Sequence, residues 1–396
     1  MNPDPHLPTD MTTNTTENKI LRCGVIGAGW WACEAHLPAL NAHPRAQITA
    51  VQKRNRDAAE KVARDFGATR ACTTVEEMLA PGDLDAVIIA STPNMHFAQT
   101  KAALEAGLHV LIEKPMTLTA AEAEELGNLA ESRNVQFLVS CPWHYTSHNI
   151  EAARLIREGA LGELKMVSVL MTNFLLGLYE GLAWEHTFSQ ETETAQNAAK
   201  PYLEPNRSSY SDPKVAGGGH VYCQISHVAA LINFITGRPA RDVFARFDRA
   251  GTNVDVYNAI NLTLDGGTLV SIASHGAPIH TDRQFELRIY GTSGMLLMEL
   301  WKGTMEFHPA SGKVVNYPPL AEDELYPMFS PARNLVDCAL GLAPNGSPAR
   351  HGVFAMGIIE AACESATTGR NVAMDQAVFN RIITTVHSRP SGLRNS

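Results

Sequence analysis

The chain has no apolar run approaching the roughly 18 residues that a membrane-spanning helix needs, so no membrane span is expected. It has no cluster of Lys and Arg either. With 32 basic against 41 acidic residues and a net charge of -9, neither nucleic acid nor an anionic membrane surface is expected as the main partner. Cysteine is sparse and forms no pattern. The seven residues Cys23, Cys33, Cys72, Cys141, Cys223, Cys338 and Cys363 contain no C-x-x-C pair and are odd in number. That excludes a disulfide framework and a zinc knuckle, and it suits a reducing, cytoplasmic compartment. Residues 1–19 lack an apolar signal core and a twin arginine and are rich in Thr, Asn and Pro. They read as a disordered leader rather than a targeting segment, and residues 377–396 as a C-terminal tail.

What is present is enough apolar sequence, 45% of 396 residues, for two domains with cores of their own. From Ile20 strand and helix signals alternate. Ile20 to Ile26 reads as a strand, and Gly27-Ala28-Gly29-Trp30-Trp31-Ala32 follows at once, a G-x-G-x-x-A fingerprint. In this pattern the first glycine permits a tight turn and the second lets a pyrophosphate approach the backbone at a helix N-terminus. The small third residue lets helix pack on strand. A second strand, Gln47 to Val51, ends not in the acid that would bind a ribose 2′-hydroxyl but in Lys53-Arg54. Two cations there suit a 2′-phosphate, which favours NADP over NAD.

Asn55 and Gly67 bracket a helix, and Thr74-x-x-Glu77 and Thr119-x-x-Glu122 read as capping boxes. Ala86 to Ala90 is a buried strand leading into the polar turn Ser91-Thr92-Pro93-Asn94-Met95-His96. The apolar run His109 to Ile112 runs into Glu113-Lys114-Pro115, where proline stops the strand. That leaves a lysine at the carboxyl end of a central strand, the place where open α/β sheets bind ligands. With Val135 to Ser140 as the sixth strand, residues 20–145 read as a Rossmann domain, a doubly wound parallel sheet.

After Pro142 the pattern changes. A helix near Ser147–Glu158 and a strand from Leu164 to Thr172 precede a long irregular stretch, roughly 175–216. Gly217-Gly218-Gly219 opens a helix that Gly237 closes. Strands and turns follow, among them a hairpin at Asp265-Gly266-Gly267, and helices return near 331–342 and 352–367. Residues 146–376 read as an α+β domain with a large, mainly antiparallel open sheet.

A GxGxxA loop, a Ser-Thr-Pro-Asn-x-His turn, Glu-Lys-Pro, a triple-glycine helix entry and a late Glu-Ala-Ala-x-x-Ser-Ala helix occur here in that order. Together they resemble the glucose–fructose oxidoreductase / inositol dehydrogenase / rhizopine-catabolism (Gfo/Idh/MocA) family, over about residues 20–376. The resemblance implies a nicotinamide cofactor, a sugar or cyclic-polyol substrate, and a homo-oligomer built through the second sheet. It assigns Gly27, Ala28, Gly29, Trp30 and Trp31 to the pyrophosphate loop and Lys53 and Arg54 to the ribose site. Ser91, Thr92, Pro93, Asn94 and His96 become the cofactor-lining turn, Glu113 the cofactor-side acid and Lys114 the catalytic lysine. His227 matches the family histidine, but the aspartate usually found four residues earlier is replaced by Cys223.

Oxidising a secondary alcohol needs a group that takes the hydroxyl proton. A lysine can do so when burial and a neighbouring cation lower its pKa, and a histidine can share the proton. Lys114 and His227 are therefore the expected acid–base pair. Trp143, His144 and Tyr145 are expected to face the cleft, with Tyr222, Cys223 and Gln224 beside the substrate, and Cys223 to be a small buried group. The i, i+4 pair His144/His148 and the i, i+7 pair His220/His227 lack acidic or thiol companions, and no metal is expected. Two other readings stay open: a redox-neutral sugar lyase or glycosidase that recycles a tightly bound cofactor, and a non-catalytic cofactor-sensing regulator.

Overall fold

The computed structural model describes residues 19–184, 201–279 and 283–374. The expected leader, except Lys19, and the expected tail lie outside them. Six short strands form the first sheet: β1 (Leu21–Ile26), β2 (Ala46–Gln52), β3 (Arg70–Cys72), β4 (Ala86–Ile89), β5 (His109–Ile112) and β6 (Phe137–Val139). They pair in parallel in the order β3-β2-β1-β4-β5-β6. Val25, Ile26, Val87, Ile88, Leu111 and Ile112 are buried, since helices cover both faces. The strand order reverses between β1 and β4, so the loops after these strands diverge and leave a crevice at the carboxyl edge. This is the expected Rossmann sheet.

Helix ends follow local chemistry. Asn55 caps α2 (Arg56–Phe66) by accepting from Ala58 N at 2.8 Å, and Gly67 ends it in the left-handed region. The capping box of α5 (Ala120–Arg133) is complete. At α3 (Val75–Leu79) the expected box is only half made. Thr74 Oγ1 accepts from Glu77 N at 3.1 Å, but the Glu77 carboxylate turns away to accept from the N–H and hydroxyl of Thr73 and to pair with Arg56.

The second sheet contains β7 (Leu164–Thr172), β8 (Ala240–Asp248), β9 (Tyr257–Leu264), β10 (Leu269–His275), β11 (Phe285–Gly291), β12 (Gly294–Glu299), β13 (Thr304–Pro309), β14 (Val315–Asn316) and β15 (Val372–Ala373). Their order is β14-β13-β12-β11-β7-β10-β9-β8-β15, and only the β7–β10 pairing is parallel. One face is apolar: Val167, Val169, Met171, Val270, Ile272, Leu287 and Ile289 alternate along their strands and are buried. Each such side chain contributes about 1.5–3 kcal/mol by leaving water. Helices α6 (Ser147–Arg157), α7 (Ser226–Thr236) and α9 (Arg350–Thr368) also enter this core.

The expected division at 145/146 needs one correction. Helix α8 (Ser330–Ala339) packs on the first sheet, with Ala332, Leu335 and Val336 clustered with Ile88, Leu111 and Leu138. The segment after it runs beside β6: Val139 N donates to Ser347 O and Ala349 N to Phe137 O. Helix α9 then lies between α5 of the first domain and α7 and β8 of the second. The stretch expected to be irregular at 175–216 holds single helical turns at Leu176–Tyr179, Ser208–Ser211 and Pro213–Ala216, while residues 185–200 lie outside the described ones. Among the described residues no helix is long and apolar enough to cross a membrane.

Candidate active site

A cavity of about 1590 Å³ opens between the carboxyl edge of the first sheet and the second domain. Its size exceeds the roughly 300–1,000 Å³ of an ordinary single-ligand pocket, which suits a cofactor and a substrate together. On one side lies the loop after β1. Gly27 has φ 74°, and a Cβ there would stand 2.5 Å from Ser91 Cα, so only glycine lets the loops after β1 and β4 meet. Gly29 lines the cavity, where an added Cβ would meet only Gly27 O, at 3.7 Å. The helix that starts at Trp30 presents first-turn N–H groups without intrahelical partners, a ready anion site. These residues fit a dinucleotide pyrophosphate.

At the end of β2 the expected cation pair divides. Lys53 Nζ donates to Ala28 O at 2.7 Å, so it braces the loop, and burial lowers its pKa. Arg54 remains exposed at the cavity rim. Ala28 itself is buried and contributes this carbonyl. Gln52 adds a second brace, accepting from Gly27 N at 3.1 Å and donating to Thr73 O at 2.8 Å. Its role was not legible in the sequence, where the position only lacked an acid.

Ser91, Thr92, Pro93 and Asn94 line the cavity at the N-terminus of α4 (Pro93–Glu105). His96 ties this turn to the Glu-Lys-Pro turn: its ring nitrogens lie 2.9 Å from Pro115 O and 3.0 Å from Ser91 O. Burial holds the imidazole below its ordinary pKa. Glu113 is buried with Oε1 2.8 Å from Nε2 of His36, which ends the π-helical turn Ala32–His36. Burial pushes the Glu113 pKa up, yet the bond to His36, the Lys114 charge and Ser140 outweigh it and hold the carboxyl below its usual value. His36 was missed in the sequence because its partner lies 77 residues away.

Lys114 reaches across the domain boundary, and its Nζ donates to the carbonyl oxygen of Cys223 at 3.2 Å. Cys223 sits in a second π-helical turn, Val221–Ile225, just before α7. Such turns widen the helix and re-aim its groups, frequently at functional sites. The turn is held by Asp255, whose carboxylate accepts from Gly219 N at 2.8 Å, Val221 N at 2.7 Å and Asn258 Nδ2 at 2.8 Å. The cysteine side chain packs against Tyr179, Val254 and Val256. The position of the missing aspartate thus meets the lysine through backbone, not side chain.

His227, one turn further on, lines the cavity and is 4% exposed. Burial, and then the charge of Lys114, hold it well below the ordinary histidine pKa, so it is neutral at pH 7. Its Nδ1 is buried without a hydrogen-bond partner among the described residues. Gln224 lines the same wall. Tyr222 does too, but its hydroxyl donates to Leu118 O at 3.0 Å and is committed to the fold.

Two expected cleft residues are elsewhere. His144 is buried, stacked 4.6 Å from Phe234 with Nδ1 2.8 Å from Ser347 Oγ, and the Tyr145 hydroxyl donates to Asn334 at 3.1 Å. The short 3-10 turn Pro142–Tyr145 explains this, because it sends successive side chains in different directions. Only Trp143 of that trio reaches the cavity.

Residues 21–141 match the model of an oxidoreductase family with an NAD-binding Rossmann fold, and residues 150–297 match the Gfo/Idh/MocA C-terminal domain. The chain belongs to the Gfo/Idh/MocA oxidoreductase family. Similar proteins include an uncharacterized oxidoreductase of Synechocystis, 29% identical over 72% of this chain and 72% of its own. A dTDP-3,4-didehydro-2,6-dideoxy-α-D-glucose 3-reductase of Streptomyces antibioticus is 36% identical over 38% of this chain and 46% of its own. Levoglucosan dehydrogenase in complex with NADH shares the fold of this family member, with TM-score 0.74 at 19% identity over 90% of this chain and 100% of its own.

Proposed function

We propose that the protein is an NAD(P)-dependent oxidoreductase acting on a CH–OH group, its substrate a sugar, glycoside or cyclic polyol. Lys114 and His227 serve as the acid–base pair. The observation that carries this reading is that Lys114 Nζ, anchored on Cys223 O, and the neutral ring of His227 share one cavity with the pyrophosphate-type loop. A bound nicotinamide would supply the hydride acceptor or donor. Lys114 holds the substrate oxygen and moves its proton, giving it in reduction and taking it in oxidation. His227 orients the same oxygen through a ring nitrogen, and its burial excludes water from that side. The sugar-type substrate is supported by the dTDP-sugar reductase among the relatives. Arg54 at the rim favours NADP.

The exposed Met166, Tyr257 and Leu269 on the outer face of the second sheet support a homo-oligomer formed there, and a cytoplasmic location completes the proposal. A screen of sugars and inositols with each cofactor, followed at the nicotinamide absorbance band, tests the activity. Substrate-dependent absorbance change is expected, and none with any pair would reject it. Cys223 in place of a carboxylate favours a second reading, the redox-neutral lyase or glycosidase. Product formation without net cofactor reduction would select it.

A further inference from the structure

Residues 201–216, which lead into the Gly217–Ile225 turn of the second domain, run across the carboxyl edge of the first sheet. At one end Tyr202 and Leu203 pack on the core that α2 covers, on one face of that sheet. At the other end the turn Pro213–Ala216 packs on α4, whose Ala103 and Leu104 belong to the core on the opposite face. A segment that joins these two faces must pass over the crevice between β1 and β4, where a dinucleotide pyrophosphate fits. Between the ends, Glu204, Pro205, Asn206, Ser208 and Tyr210 line the cavity together with Gly29 and Trp30, and the Tyr210 ring lies 6.5 Å from that of Trp30.

The two ends are held differently. Near the C-terminal end Tyr210 packs on the cluster of Tyr179, Cys223, Val254 and Val256, and Ala216 is buried. Gly217 follows at φ 85°, and a Cβ there would stand 2.5 Å from the Tyr222 ring, so this end is fixed by close packing. The N-terminal end rests on the half-buried Tyr202. Its N–H donates to Glu34 Oε1 at 2.9 Å, and its ring stands edge-on to Phe66 at 5.3 Å. Its hydroxyl donates to the Asp65 carboxylate and accepts from Lys61 Nζ at 2.7 Å. Lys61 and Asp65 are themselves exposed. Exposed ionic contacts are individually weak, so this end opens at far lower cost than the packed one.

Building on the nicotinamide-cofactor reading, we infer that Tyr202 is a positioning residue, the clasp of a strap over the bound dinucleotide. It holds residues 203–207 down across the crevice, and the cofactor enters and leaves when the clasp releases. Glu34, Lys61, Asp65 and Phe66 form the catch on the first domain. The full-length protein tests this by stopped flow. It is mixed with NADH or NADPH, or preloaded and chased with the oxidised form, and energy transfer from tryptophan to the reduced nicotinamide reads kon and koff. For the cofactor that binds, Tyr202→Ala is expected to raise kon and koff together, each by about tenfold, with Kd moving by less than about threefold. Tyr202→Phe keeps the ring on Phe66 and loses the bonds to Lys61 and Asp65. It serves as the second variant, with both rates up by about threefold.

Rates unchanged in both variants would overturn the inference. A rise in koff with kon unmoved would overturn it too, because that is the signature of a lost affinity contact and not of a released gate. In either case the cofactor still binds and the nicotinamide reading stands. If neither NADH nor NADPH binds the wild-type protein, that reading falls and takes this inference with it.

Discussion

At the scale of single residues, the site depends on groups whose partners come from elsewhere in the chain. Lys114→Ala removes the amine that donates to the Cys223 carbonyl across the cavity. Its kcat should fall by about 10²–10⁴ with cofactor affinity nearly unchanged, measured by steady-state kinetics and cofactor titration. Near-normal turnover would eliminate Lys114 as acid–base. Arg54→Glu places an anion where a 2′-phosphate would lie. The ratio of kcat/KM for NADP to that for NAD should drop at least about tenfold, since a charge-assisted bond becomes a repulsion. An unmoved ratio would mean that Lys53, already bound to Ala28 O, is not helped by its neighbour. His36→Ala strands Glu113 as an unpaired buried charge. Breaking such a pair costs about 3–5 kcal/mol, read as a lowered urea midpoint, and an unchanged midpoint would show that Ser140 and Lys114 suffice.

At the scale of elements, short-range rules worked wherever the chemistry was local. The hairpin at Asp265-Gly266-Gly267 joins β9 and β10 as expected, and the caps at Asn55 and Thr119 are made. The capping box at Thr74 failed in half because Arg56, from another helix, and Thr73 offered Glu77 better partners. The π-helical turn Val221–Ile225 has no such local signature. It is held by Asp255 from the strand side, and the triple glycine makes the approach possible: a Cβ at Gly219 would collide with the Asp255 carbonyl oxygen. Gly219→Ala should therefore shift Cys223 and His227 together, cutting activity strongly and lowering the thermal midpoint. Full activity in that variant would show that the segment tolerates the displacement.

At the scale of the whole molecule, folding buries several histidines in neutral form. Burial lowers His144 and His220 to about 3 and takes His227 and His351 well below their ordinary value. The unfolded chain binds these protons near pH 6.5 and the folded chain does not, so stability is complete above that pH and falls as pH descends below it. Each group approaches a slope of about 1.4 kcal/mol per pH unit. Glu113, whose pKa is depressed, adds a further loss below about pH 4.5. Urea midpoints should be level from pH 8 to 7 and drop clearly between pH 6.5 and 5. A flat midpoint over that interval would mean that these histidines are protonated without unfolding.

The sequence by itself determined the Rossmann sheet and the glycine-rich loop, which rest on periodicity, glycine turns and motif spacing acting over a few residues, while Lys114 and His227 became candidates through the family resemblance. Only the tertiary structure decided that Cys223 meets Lys114 through its carbonyl and that His36 holds Glu113. It also decided that α8 returns to the first sheet, that His144 and Tyr145 turn away, and that five scattered tryptophans share one cavity. Each of these depends on which distant surfaces can be packed together without voids or unpaired charge, and neighbouring residues in a chain carry no record of that.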